Sequence, residues 1–128
     1  MLDILVWILI IAVLALIGII FYLYKSSPKV QLTPHETYLE ALKALLNNDK
    51  GKAFLRLRET VMADTNNIDA YLRLTNLLRE KGNAKKALQI DADLNLRQNL
   101  SQYEKAEVML SLAEDYMHVS QFDAAEKV

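Results

Sequence analysis

The chain has no cysteine, only three glycines and two prolines, and a net charge of -1 from 15 basic and 16 acidic residues. Each scarcity removes a class of function. Without cysteine there is no disulfide framework and no cysteine-based zinc, haem or redox site. The glycines are Gly18, Gly51 and Gly82, too scattered to form a loop that cradles a phosphate. A near-neutral chain supplies no basic field for nucleic acid, so none is expected as a partner. His35 and His118 stand far apart without a metal ligand at helical spacing, and are read as helix-surface residues. Asp91, Asp93 and Asn95 imitate the opening of a calcium loop, but Leu96 fills the glycine position and Gln102 replaces the bidentate glutamate. These three are therefore read as a solvated helix face. No nucleophile stands with a base, and neither a cofactor nor a catalytic residue is expected.

What is present falls into two parts. From Ile4 to Tyr24 there is no charged residue, and about 21 residues rise about 31 Å as a helix, the thickness of a hydrocarbon core. A signal peptide would need a positive start, a shorter apolar core and a small-residue cleavage site. Here Asp3 precedes the run, and Tyr22, Leu23, Tyr24 and Lys25 follow it. Residues 1–24 are thus expected to be an uncleaved single-pass anchor. Lys25 and Lys29 follow the span, so the positive-inside rule places the C-terminal part in the cytoplasm. Trp7, Tyr22 and Tyr24 suit the two interfaces, and the single glycine at 18 provides no glycine-based dimerisation motif. Residues 25–33 form a short polar linker that would hold the rest close to the bilayer. Thr33, Pro34 and Glu36 then make a capping box with proline at the first helical position.

The second part, 34–128, is organised around the stretch Ile68 to Leu94. Ala70, Tyr71, Leu74, Thr75, Leu77 and Leu78 recur at the three-and-four spacing of one helix face. Gly82 ends that helix, Asn83 is expected to cap the next, and Ala87, Leu88, Ile90 and Leu94 continue it. Small residues suited to a close crossing recur as Ala41 with Ala53, Thr75 with Ala87, and Ala113 with Ala125, each pair 12 apart. The first two pairs are offset by 34 residues and the last two by 38, the extra four being about one helical turn, expected to lengthen the front of the third unit's first helix. The spacing predicts helices at 34–47, 50–63, 68–81, 84–98 and 102–119, with another starting near Phe122. Ser101 and Glu104 repeat the capping-box spacing. The expected fold is all-α: a transmembrane helix followed by stacked hairpins (34–67, 68–101 and a truncated 102–128) forming an α-solenoid. The chain ends inside the last hairpin, leaving the face of Met109, Leu112, Tyr116 and Phe122 partly uncovered. That predicts a longer protein or a domain completed by a partner.

These residues resemble the tetratricopeptide repeat family, whose period is about 34. Leu112, Ala113, Tyr116, Phe122 and Ala125 match it in the third unit, and Tyr71, Leu74, Gly82 and Ala87 in the second. The first unit departs from it, with Glu40 in place of leucine and Lys50 in place of an aromatic. The resemblance implies a concave groove lined by first helices, here Tyr38, Leu42, Leu72, Asn76, Arg79, Leu110, Glu114 and Met117, with Arg73 beside them. Such a groove binds a protein or peptide client. Asn76 and Arg79, one turn apart, would clamp a carboxylate or a peptide backbone, and Arg79→Glu is expected to weaken capture without unfolding the domain. Acidic Glu104, Glu107, Glu114, Asp115, Asp123 and Glu126 contrast with basic Arg79, Lys81, Lys85 and Lys86, a pattern read first as a solvated face.

An apolar span, a short linker and then "YLEALKALLNNDKGKAF", "NIDAYLRLTNLLREKGNAKKAL" and "AEDYMHVSQFDAAE" also resemble a family of bacterial inner-membrane tetratricopeptide adaptors that regulate lipopolysaccharide synthesis. That resemblance implies that the span meets a membrane protease, that the repeats recruit the deacetylase of lipid A synthesis, and that proteolysis sets lipopolysaccharide output. The family's C-terminal rubredoxin-like metal domain is built on cysteine pairs, which this chain lacks. Two functions remain open at this point, with the oligomeric state undecided: a membrane-anchored adaptor for a cytoplasmic client, or a structural scaffold subunit of an envelope or secretion assembly.

Overall fold

The computed structural model describes residues 1–126, and the side chains of Phe122, Ala124, Ala125 and Glu126 lie outside the described residues. The described residues form helices and no strand: α1 Leu2–Ser26, α2 Pro34–Leu46, α3 Lys50–Ala63, α4 Ile68–Glu80, α5 Ala84–Asn95 and α6 Gln102–Glu126. They fall into two units, Met1–Gln31 and a second from Leu32 onward.

The first unit is α1. Its 25 residues would rise about 37 Å, and each of them is exposed, so no protein core accounts for their apolar character. The helix has the length and composition of a membrane span. It runs two residues past the expected boundary at Tyr24, through Lys25 and Ser26, and a cation in the last turn complements the helix dipole.

The second unit begins at the expected capping box. Thr33 Oγ1 accepts from the Glu36 amide at 3.2 Å, and Glu36 Oε2 accepts from the Thr33 amide at 2.8 Å. The backbone N–H and the hydroxyl of Thr33 hold the Glu36 carboxyl below its usual range. Asn67 caps α4 by accepting from the Ala70 amide at 3.0 Å. Ser101 and Glu104 form a second capping box at α6, with bonds of 3.1 and 2.8 Å. These three caps are spaced by 34 residues.

The turns keep the same period. Asn48 (φ 55) and Gly82 (φ 81) lie 34 apart, and both take the left-handed conformation that reverses the chain. Asp49 and Asn83 follow as N-caps; Asp49 accepts from the Lys52 amide at 3.1 Å. Asn83 occupies the cap position, but its side chain makes no capping bond, contrary to the sequence expectation.

Packing follows from residue size. Ala41 with Ala53, and Thr75 with Ala87, have no exposed surface, so in each hairpin the helices approach with nothing larger than a threonine at the crossing. Around the crossings Leu57, Val61, Leu74 and Leu77 close one core, and Ile68, Leu94 and Val108 close the next. Arg97 ties the two hairpins together, donating to the Thr65 carbonyl at 2.5 Å and lying 5.1 Å over the Tyr71 ring.

The third hairpin is where structure and expectation part. α6 is one continuous helix, with no break near Ser120 and no separate helix from Phe122. Its start keeps the 34-residue spacing, so the extra turn lies within the helix and not at its front. The physical reason is local: where Asn48 and Gly82 supply a residue tolerant of positive φ, the run Val119, Ser120 and Gln121 offers neither glycine nor asparagine. Ala113 is exposed, and its partner Ala125 lies outside the described residues. Two of the three small-residue crossings are therefore formed among the described residues.

A Cβ at Gly82 would meet no atom within 4 Å, so Gly82→Ala is a test of backbone conformation alone. We expect it to lower stability by about 1 kcal/mol, whereas Asn48→Gly at the equivalent turn leaves stability level or slightly higher. Thermal melting of the full chain in detergent micelles, followed by helical circular dichroism, checks both.

Candidate protein-binding groove

The first helices of the hairpins leave a hollow of about 460 Å³ whose lining includes Leu45, Asn48, Lys50, Asp69, Leu72, Arg73, Asn76, Glu80 and Glu107. A smaller hollow of about 130 Å³ shares Leu72 and Glu107 with it and adds Arg79, Leu110, Ser111 and Glu114. Of the residues that the sequence assigned to a groove, Leu72, Arg73 and Asn76 line the larger hollow and Leu72, Arg79, Leu110 and Glu114 the smaller. Tyr38 is half-buried at its edge, its hydroxyl donating to Asp69 Oδ2, and Arg73 Nε donates to the same oxygen at 2.7 Å. Burial alone would raise the Asp69 carboxyl, but these two donors hold it below its usual range. Leu42 is half-buried and lines neither hollow, and Met117, 61% exposed, also lies outside both.

Arg79 departs most from expectation. Its side chain is only 5% exposed. Nη1 donates to Asp115 Oδ1 at 2.6 Å and to Ser111 Oγ at 3.0 Å, and lies 3.5 Å from Asp91 Oδ2. Nη2 reaches Glu114 Oε2 at 3.1 Å and Asn76 Oδ1 at 3.4 Å. The guanidinium is committed to neighbours in its own fold, so the expected clamp of Asn76 with Arg79 on a client carboxylate is not available. Asp91 is corrected likewise: instead of a solvated face it sits fully buried, accepting from Ser111 Oγ at 2.5 Å. The sequence reading missed Asp91, Ser111 and Asp115 as a set. A signal was present, since Arg79 and Asp91 each lie four residues past a crossing residue, Thr75 and Ala87, on the same inward stripe.

The cluster is electrostatically uneven. One buried cation faces two fully buried carboxylates, and Asp91 Oδ1 and Asp115 Oδ2 have no hydrogen-bond partner. Burial pushes the Asp91 carboxyl up to about 7, with the Asp115 carboxylate beside it adding to the rise and Ser111 and Arg79 opposing it. One proton retained on the pair relieves the repulsion.

A further hollow of about 420 Å³ lies between the α4–α5 turn at Gly82 and Asn83 and the end of α6 at His118 and Val119.

Paired, stacked helices carrying an open trough, preceded by an apolar helix of membrane-spanning length, define an all-α protein of the helical-hairpin class. No protein-family model matches the chain. It is similar to lipopolysaccharide assembly protein B of Escherichia coli K12, 29% identical over 89 residues that make up 70% of this chain and 23% of the relative. The proteins of that name in E. coli CFT073 and O157:H7 match to the same extent. The chain spans about a quarter of the length of the curated relatives it matches.

Two outcomes follow from the cluster. Arg79→Glu places a third carboxylate among buried ones, and we expect it to cost about 3–5 kcal/mol, visible as lost helicity and not only as lost binding. Because folded Asp91 holds a proton that the unfolded chain releases, its contribution is full below about pH 4 and is lost as pH rises toward about 7. Stability of the wild type should fall across that window, and Asp91→Asn should flatten the fall; denaturant titration at stepped pH measures both.

Proposed function

We propose that this chain is the anchored, client-binding segment of a bacterial inner-membrane adaptor of lipopolysaccharide assembly. α1 spans the membrane once and the hairpins stand on its cytoplasmic side. Their trough holds a cytoplasmic biosynthetic enzyme while the span meets a membrane protease. The observation that carries this reading is the hollow of about 460 Å³ along the first helices, and the similarity over 70% of the chain supports it. Lys25 and Lys29 after the span support the orientation. Such a protein acts without chemistry of its own: tethering client and protease to one membrane site raises their effective concentration toward the millimolar range. Tetratricopeptide-type recognition would then set which enzyme is delivered.

A second reading, a structural scaffold subunit of an envelope or secretion assembly, draws on one specific feature. Met109, Tyr116 and Met117 are 55–61% exposed on α6, a surface suited to a permanent neighbour.

A photo-crosslinking residue at Asn76, in membranes, separates the two. Capture of a protease together with a soluble biosynthetic enzyme supports the adaptor; capture of integral assembly components alone supports the scaffold. Because the chain has no native cysteine, Lys81→Cys creates a unique label site. A membrane-impermeant maleimide should leave it unmodified in intact cells, and modification from outside would overturn the orientation.

A further inference from the structure

We infer that the groove takes a client segment through a lysine or arginine side chain, received by Glu107 in the hollow that it lines with Leu72 and Leu110; the inference rests on the client-binding reading above. The sequence pointed the other way, toward an Arg79 clamp for a carboxylate, and the distribution of charge reverses that sign.

Every cation lining the trough is already matched. Lys50 Nζ lies 2.9 Å from Glu80 Oε2, Arg73 Nε lies 2.7 Å from Asp69 Oδ2, and Arg79 is enclosed by Asp115, Asp91 and Glu114. Glu107 lines both hollows and makes no ion pair or hydrogen bond among the described residues. Glu114, 47% exposed, shares its one guanidinium with the buried Asp115 and Asp91 pair, which keeps at least one negative charge, so its own charge is only partly answered. Among the described residues, the field left over in the trough is negative, and no cation lining it is free for an acidic client.

The apolar walls fit the same occupant. Leu72 and Leu110 line the smaller hollow together with Glu107. A lysine or arginine buries its aliphatic stem against such walls and presents its charge at the end. Glu107 and Glu114 are seven residues apart, a rise of about 10.5 Å on a helix, and three residues of polyproline II chain cover about 9 Å while returning the side chain to the same face. The geometry therefore favours two basic residues with two residues between them.

The test uses the full chain in nanodiscs of zwitterionic lipid and fluorescent ten-residue peptides whose cores are Lys-Leu-Ala-Lys, Gln-Leu-Ala-Gln or Glu-Leu-Ala-Glu. The lysine peptide should bind at least about fivefold tighter than the glutamine one, and the glutamate peptide weakest. Glu107→Gln should remove most of that preference, with circular dichroism unchanged because Glu107 has no partner to lose. Raising salt should weaken only the lysine peptide. Asn76→Tyr, which fills the trough, should reduce binding of all three. Binding that ignores peptide charge, favours glutamate, or is untouched by Glu107→Gln overturns this inference and leaves the groove reading standing. If no peptide binds, or if Asn76→Tyr leaves binding intact, both fall.

Discussion

The second hairpin and α6 hold together around one guanidinium. Arg79 from α4, itself almost buried, meets the fully buried Asp91 from α5 and Asp115 from α6. The repeat period shows what this arrangement replaces. Thirty-four residues earlier the same positions are Leu45 and Leu57, which pack in the first core. The first hairpin closes with apolar contact where the second closes with charge. Burying ions costs desolvation that their attraction only roughly offsets, so the gain lies less in net stability than in selectivity. An α6 slipped by one residue would carry Asp115 away and leave Arg79 under-paired in the interior. The ionic cluster thus sets the register of α6, and with it the side chains that reach the trough.

Much of the rest was legible because it depends on local chemistry. Thr33 and Ser101 accept hydrogen bonds from amides that a helix start leaves free, and the polar side chain is visible in sequence; Asn67, which the sequence reading passed over, does the same. Gly82 marks a turn for the same reason, and Ala41, Ala53, Thr75 and Ala87 announce close crossings by their size. The period of 34 was readable from those residues alone, and all four crossing residues proved to have no exposed surface.

What could not be read depends on partners distant in the chain. Arg79 looks like a surface arginine until Asp115, 36 residues later, is placed beside it. Asp91 looks solvated because aspartates usually are, and only the inward stripe that it shares with Ala87 argues otherwise. The expected turn after Val119 failed differently: a small-residue match between Ala113 and Ala125 implied a crossing, but a crossing needs a turn, and no residue there prefers one. Spacing of packing residues therefore predicted partnership correctly only where turn chemistry agreed with it, as at Asn48 and Gly82.

α6 also explains how a small domain can present separate surfaces. Val108, Ser111 and Asp115 face inward, Glu107, Leu110 and Glu114 line the smaller hollow, and Met109, Ala113 and Tyr116 are exposed. Each stripe keeps the three-and-four spacing of a helix face, and the stripes start one residue apart, at 107, 108 and 109, about 100° around the axis. One face is used for folding, one is electronegative and concave, and one is apolar and open. A protein bound in the trough would leave the outer stripe free, so the two can be occupied together. If the chain acts as the adaptor proposed above, holding one protein while meeting another would require that separation, and a single helix provides it because the ionic cluster prevents it from rotating.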